Sequence, residues 1–138
     1  MIIDASVAIR WVIAGDYQSQ AAAILDISEP LRAPGHFMSE VANVLFKYVR
    51  DGLVSEKAAL SAHDEVREIL GPLVNVAELH DEAFELCLAL LHPIYDCYYL
   101  ALALRTGDVF VTADQRFLRK LAGTRFAPHA MHLSEVRA

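Results

Sequence analysis

Asp4, Glu40, Asp96 and Asp114 each stand beside an apolar run of the sequence. An acid in that setting is either the cap of a helix or turn, or one of a set of ligands that the fold brings together. Taken singly, capping or a turn is the better account of each. Taken jointly, they point to a shared site, because all four fall at the same expected end of one sheet, next to buried segments. Two carboxylates about 5 Å apart repel by roughly 3 kcal/mol at an effective dielectric near 20, so such a cluster calls for protons or a cation. Ligands that are all oxygen suit hard divalent ions, which makes magnesium or manganese the expected cofactor, whereas zinc or copper would call for imidazole or thiolate. The usual partner of such a site is a phosphate ester, since one or two cations can activate a water, orient it for in-line attack and stabilise the leaving oxygen.

Hydroxyls extend the pattern. In Asp4-Ala5-Ser6 and Thr112-Ala113-Asp114 a hydroxyl and a carboxylate are two residues apart, a spacing that turns both to one side of extended chain. Ser6 and Thr112 are therefore the expected supporting residues. Arg116, with Arg119, Lys120 and Arg125 close by, is a candidate for contact with a nucleic-acid backbone, against the plainer reading of a solvated helix face. Arg10, one turn after Ser6, is more simply a surface residue.

The elements that must position these residues are visible as an alternation. Short apolar runs with strand character at Ile2-Ile3, 31–33, 74–76, 109–112 and 130–133 are separated by helical patterns at 7–14, 19–27, 39–50, 56–70, 81–91, 96–105 and 115–121. Such alternation predicts an α/β fold, a central parallel sheet flanked by helices, with ligands gathering outside the carboxyl ends of the strands. Asp4 ends the first run and Asp114 lies just beyond the fourth. Asp96 opens a helix whose positions 96, 99, 100, 103 and 104 make one stripe, and Glu40 borders the buried stripe of its own helix through Val44 and Tyr48. Asp51-Gly52, Gly71-Pro72 and Thr106-Gly107 supply helix stops, and Ser55 an N-cap. Two successive helices between Ala33 and Val74 interrupt the alternation and leave the strand order open.

A length of 138 residues suits a single domain over 1–138, and 55% hydrophobic against 22% charged residues excludes disorder. Cys87 and Cys97 lack CxxC or Cys/His spacing and read as reduced core residues of a cytoplasmic protein. Asp4 interrupts the apolar stretch that a signal peptide needs, and no 18-residue apolar run occurs, so neither export nor membrane spanning is expected. A net charge of −6 opposes non-specific binding of a polyanion. Four of those charges belong to the site itself, however, where bound divalent cations would reverse the local field.

Other candidates have plainer readings. Trp11, Tyr48, Tyr98 and Tyr99 are of a type that stacks on bases, but helical spacing makes Trp11, Tyr48 and Tyr99 core residues. His36 and His92 read as loop residues that are candidates for RNA contact, with polarity facing water the plainer account. His129 and His132, three apart in an expected strand, face opposite sides and share no metal. Ile9, Val12, Ile24 and Leu25 on the first helices suit either the core or a surface for a second copy or an antitoxin segment, and the sequence leaves the two open.

Four blocks in order, Ile3-Asp4-Ala5-Ser6-Val7-Ala8 with Trp11, Ser39-Glu40-Val41-Ala42-Asn43-Val44, Tyr95-Asp96-Cys97-Tyr98-Tyr99-Leu100-Ala101-Leu102-Ala103, and Val111-Thr112-Ala113-Asp114-Gln115-Arg116-Phe117-Leu118, resemble the PIN-domain family. The likeness runs end to end and is specifically to its VapC toxin ribonucleases. It implies a PIN fold, with magnesium or manganese on Asp4, Glu40, Asp96 and Asp114 supported by Ser6 and Thr112. It also implies cleavage of RNA by activated water to leave a 5′-phosphate and a 3′-hydroxyl. The implied partners are RNA, a second copy in a homodimer, and a cognate antitoxin that completes a hetero-oligomer. Two departures stand out. Cys97 replaces a small residue, and Gln115-Arg116 follows the Thr-x-Asp turn where some members carry a further acid, which leaves the number of cations open.

Two other classes fit parts of the pattern. A PIN-like module that binds RNA or protein without nuclease activity keeps the fold, and the intact acids speak against it. A receiver domain or an aspartate-nucleophile phosphatase needs a lysine late in the chain near the site, and the last lysine, Lys120, lies beyond the Asp114 turn.

Overall fold

Strands covered on both faces need unbroken apolar runs, and the runs around Ile2 and Phe110 meet that need. In the computed structural model, which describes residues 1–138, they form β1 (Ile2–Ile3) and β2 (Phe110–Thr112), both wholly buried, with β3 (Ala130–His132) alongside. β2 pairs in parallel with β1 on one side and with β3 on the other. Single parallel bridges carry the sheet further, Ile2 to Arg32 and Pro34 to Val74. The order across the sheet is therefore Val74, the 32–34 segment, β1, β2, β3. Chain growth reverses direction between β1 and β2, and a reversal of that kind opens a crevice at the carboxyl ends of the two strands.

All five expected runs enter the sheet, but 31–33 and 74–76 do so as bridges and not as strands. Pro34 has no N–H to continue a ladder, and Asn75 at once caps the next helix, accepting from Ala77 N at 2.9 Å. The helices are α1 (Ala5–Val12), α2 (Gln18–Leu25), α3 (Phe37–Arg50), α4 (Glu56–Ile69), α5 (Val76–Leu90), α6 (Ile94–Thr106) and α7 (Gln115–Leu121). The Asn75 cap is why α5 starts ahead of its expected position at 81. Gly107 closes α6 in the left-handed conformation with φ 73°, whereas α4 ends on an extended Leu70, so Gly71 is no left-handed stop.

α6 departs from the one-sided stripe. Every residue from Cys97 to Ala103 is buried, because the helix runs through the core between α5 and the strands β1 and β2, and a helix apolar all round belongs in such a place. Between core and partner surface, which the sequence left open for the first helices, packing decides for the core at two positions. Ile9 and Ile24 are core residues, since α2, α3 and α4 pack over α1. Of that group Leu25 is exposed and Val12 half-buried. Large apolar side chains left in water include Phe46, Leu53 and Leu60 around α3 and α4, and Phe84, Leu88 and Leu91 along α5 and its end. No single helix is long and apolar enough to cross a membrane.

α5 closes on Leu91, left-handed at φ 50° and 82% exposed. A leucine there sets Cβ against the carbonyl oxygen, a clash that glycine avoids. Leu91→Gly is expected to raise the unfolding free energy by about 1 kcal/mol in urea titration, and a midpoint that does not rise would show that the strain is relieved elsewhere.

Candidate functional site

Each of the four acids lies at the start of a helix. Asp4 leaves β1 and caps α1: its Oδ1 accepts from Val7 N at 3.2 Å and from Ser6 Oγ at 2.5 Å, and its Oδ2 accepts from Thr112 Oγ1 at 2.6 Å. Asp114 follows β2 and caps α7, accepting from Arg116 N at 2.9 Å. Glu40 and Asp96 stand in the first turns of α3 and α6, whose caps are His36 and Pro93. Capping and clustering are thus compatible, since Asp4 and Asp114 do both. Every acid lies in the partial positive charge of a helix N-terminus.

Ser6 and Thr112 tie the two strand ends together. Ser6 Oγ donates to Asp4 and accepts from Ala113 N at 2.8 Å. Thr112 Oγ1 donates to Asp4 and accepts from Asp114 N at 3.0 Å. Each hydroxyl has one proton and spends it on Asp4, so the turn after β1 and the turn after β2 share one carboxylate as their anchor.

Burial pushes the Asp4 carboxyl up to about 7, outweighing the hydrogen bonds from Ser6, Thr112 and Val7 that lower it, with the charge of Glu40 adding to the rise. Burial also raises Asp96; the hydrogen bond and charge of His92 oppose this, and the charges of Glu40 and Asp114 add to it. These influences place the four acids in one electrostatic field. Arg116 reaches Asp114 at 3.5 Å, and the pairs made by Glu40 and Asp96 are with histidines. No lysine or arginine pairs with Asp4.

Those histidines are the residues most clearly misread as solvent-facing. His36 Nε2 lies 2.9 Å from Glu40 Oε1 and 3.1 Å from the Tyr95 carbonyl; both partners only accept, so Nε2 carries the proton. His92 Nε2 is 2.6 Å from Asp96 Oδ2, its ring held 4.7 Å from that of Phe117. In both pairs the histidine precedes the acid by four residues, a spacing that marks neighbours at a helix start. His132 is buried. Its Nδ1 accepts from Ser134 N at 3.1 Å, so Nε2–H points at the Ala113 carbonyl, 3.3 Å away, and braces the turn between Thr112 and Asp114. His129 lies in a short 3-10 turn before β3 and not in the strand.

Among the aromatic candidates, Tyr98 and Tyr99 are buried and Trp11 Nε1 donates to Ala21 O at 2.9 Å. The exposed ring beside the acids is Tyr95, at 64%. Arg116 is open, its side chain 82% exposed, whereas Arg10 is occupied with the carbonyls of Ser6 and Asp16.

Carboxylate oxygens alone are a donor set for a hard divalent cation, and such a charge would offset the cost of ionising Asp4. As they stand, no three His, Cys, Asp or Glu side chains make a ready coordination shell. Glu40 is engaged by His36 and Asp96 by His92, and these carboxylates must turn to serve as ligands.

Residues 1–123 match the PIN domain. The chain belongs to the PIN-domain family. Ribonuclease VapC3 of Pyrobaculum aerophilum is 30% identical over 122 residues, which are 87% of this chain and 93% of that protein. The crystal structure of PAE2754, also from Pyrobaculum aerophilum, superposes with a TM-score of 0.69 at 23% identity, covering 96% of this chain and 88% of the other. The second likeness is one of fold. The VapC-like resemblance and the α/β fold with its parallel sheet, both expected from the sequence, are found.

The charge pattern of this PIN domain has a sign in pH. Asp4 is raised from 3.8 to about 7, so within that window the folded state holds more protons than the unfolded one, and stability falls as pH rises through it. Asp96 acts in the same direction. By calorimetry in EDTA, the Tm should be lower at about pH 8 than at about pH 5, and Asp96→Asn should recover a few degrees at the higher pH. Manganese or magnesium should raise Tm most at the higher pH. A flat profile without a metal effect would mean that the acids do not share one field.

Proposed function

We propose that this PIN domain is a magnesium- or manganese-dependent endoribonuclease, the toxin of a toxin–antitoxin pair, that hydrolyses RNA phosphodiester bonds by water attack in the cytoplasm. The observation that carries the reading is the gathering of Asp4, Glu40, Asp96 and Asp114 at four helix starts, with the Asp4 carboxyl driven up to about 7 by burial and by the nearby charge of Glu40. The relative at 30% identity, named a ribonuclease, supports it. When bound, the cation supplies a lowered pKa for water and stabilisation of the leaving oxygen.

The chain's own residues have distinct parts. Asp4 is a fixed ligand, locked by three donors. Ser6 and Thr112 hold the Asp114 turn in register with it. Glu40 and Asp96 are the adjustable ligands, released by His36 and His92. Arg116, exposed beside Asp114, with the exposed Arg119 and Lys120 further along α7, offers positive charge to RNA phosphates next to the site, against the negative charge of the whole chain. The apolar groups around α3 and α4 and along α5 offer two faces for a second copy and for a cognate antitoxin.

Purified protein incubated with structured and unstructured RNAs should cut them in magnesium or manganese, leave 5′-phosphates, and stop in EDTA. Asp4→Asn and Asp96→Asn should each lower the rate by about a thousandfold, the scale of losing several kcal/mol of charge stabilisation. Arg116→Ala should raise KM and flatten the salt dependence. RNA that is bound but never cut in the presence of metal would replace this reading with that of a binding module.

A further inference from the structure

Tyr99 lies on α6 one turn after Asp96 and is fully buried. Its ring stacks on Phe110 at 5.1 Å and stands 5.0 Å from the His36 ring. Its hydroxyl has no hydrogen-bond partner. Leaving such a group unpaired in the interior costs about 1–3 kcal/mol, a cost that phenylalanine would not carry, so the oxygen calls for an explanation. Burial, and then the charges of Glu40, Asp4 and Asp96, hold its proton well above the ordinary tyrosine range. The group is therefore a permanent donor among carboxylates. Glu40 comes near enough to act on that hydroxyl both by its charge and as a hydrogen-bond partner, yet the two do not meet full hydrogen-bond geometry, and the carboxylate is bonded to His36.

His36 and Tyr99 thus offer Glu40 two donors from adjacent rings, one in use and one idle. The Glu40 side chain is 32% exposed, so part of it borders water and not packed protein. We propose that Tyr99 is a positioning residue for Glu40: once that carboxylate leaves His36 for the cluster, the Tyr99 hydroxyl donates to one of its oxygens and orients the other for a divalent cation. The inference rests on the metal-site reading above and adds to it the group that sets the inward position of Glu40.

Tyr99→Phe keeps the ring and its stack while removing the donor. Manganese binding to the protein alone, measured by titration calorimetry, should weaken by about tenfold, the usual loss when a ligand's supporting partner is removed. The Tm in EDTA should stay level or rise. In a Glu40→Ala background, the same substitution should change manganese affinity by less than about twofold, since the group it acts through is gone. Unchanged affinity in Tyr99→Phe overturns the proposal, as does a loss that persists without Glu40, or a lower metal-free Tm that marks a packing role. A wild-type protein that binds no manganese overturns the metal-site reading itself, and this proposal with it.

Discussion

Asp4 carries its carboxylate into surroundings that favour its protonated form, and much of the sheet edge is organised around keeping it in place. Ser6, Thr112 and the Val7 amide all donate to it, and the N-terminus of α1 adds a favourable potential. The same two hydroxyls accept from the amides of Ala113 and Asp114, so the anchor of one turn is also the frame of the next. A neutral residue at position 4 would relieve the desolvation and loosen both turns together. Burial, which makes the charge costly, also excludes the water that would otherwise let the geometry wander.

The site divides into a rigid half and an adjustable half. Asp4 and Asp114 come from strand ends in a parallel ladder and are knitted together by hydroxyls. Glu40 and Asp96 come from helices and are held by one histidine each, with their side chains partly open to water. A cation bound as proposed would meet a preformed edge and recruit the rest. This arrangement avoids assembling a full set of repelling carboxylates before the compensating charge arrives, and His36 and His92 give the waiting acids hydrogen bonds in the meantime.

The alternation of apolar runs and helical patterns made the parallel sheet readable, and with it the end of the sheet where Asp4 and Asp114 sit. Local chemistry that overrides periodicity was harder to read. Pro34 and Asn75 cut two strands down to bridges, and α6 is apolar all round because the core surrounds it, a fact of tertiary packing that no stripe encodes. His36 and His92 could have been found from their spacing to the acids, had each been read as half of a pair. His132 could not, because its place beside Ala113 depends on the register that sets Thr112 opposite His132 across β2 and β3. Tyr99 was readable as core but not as an unpaired donor, since that requires knowing what its hydroxyl faces.

The hydroxyl ties between the first and second strand ends join residues 107 and 108 positions apart. A ribosome making this chain releases Asp4 and Glu40 long before Thr112, Ala113 and Asp114, so the early segment has half of the acids and none of the late donors that hold them in place. The two turns can be joined only once residues 112–114 have emerged and the loop between them and Asp4 has closed. If the chain cleaves RNA as proposed, a copy that stops before residue 112 would carry Asp4 without the late donors that frame it.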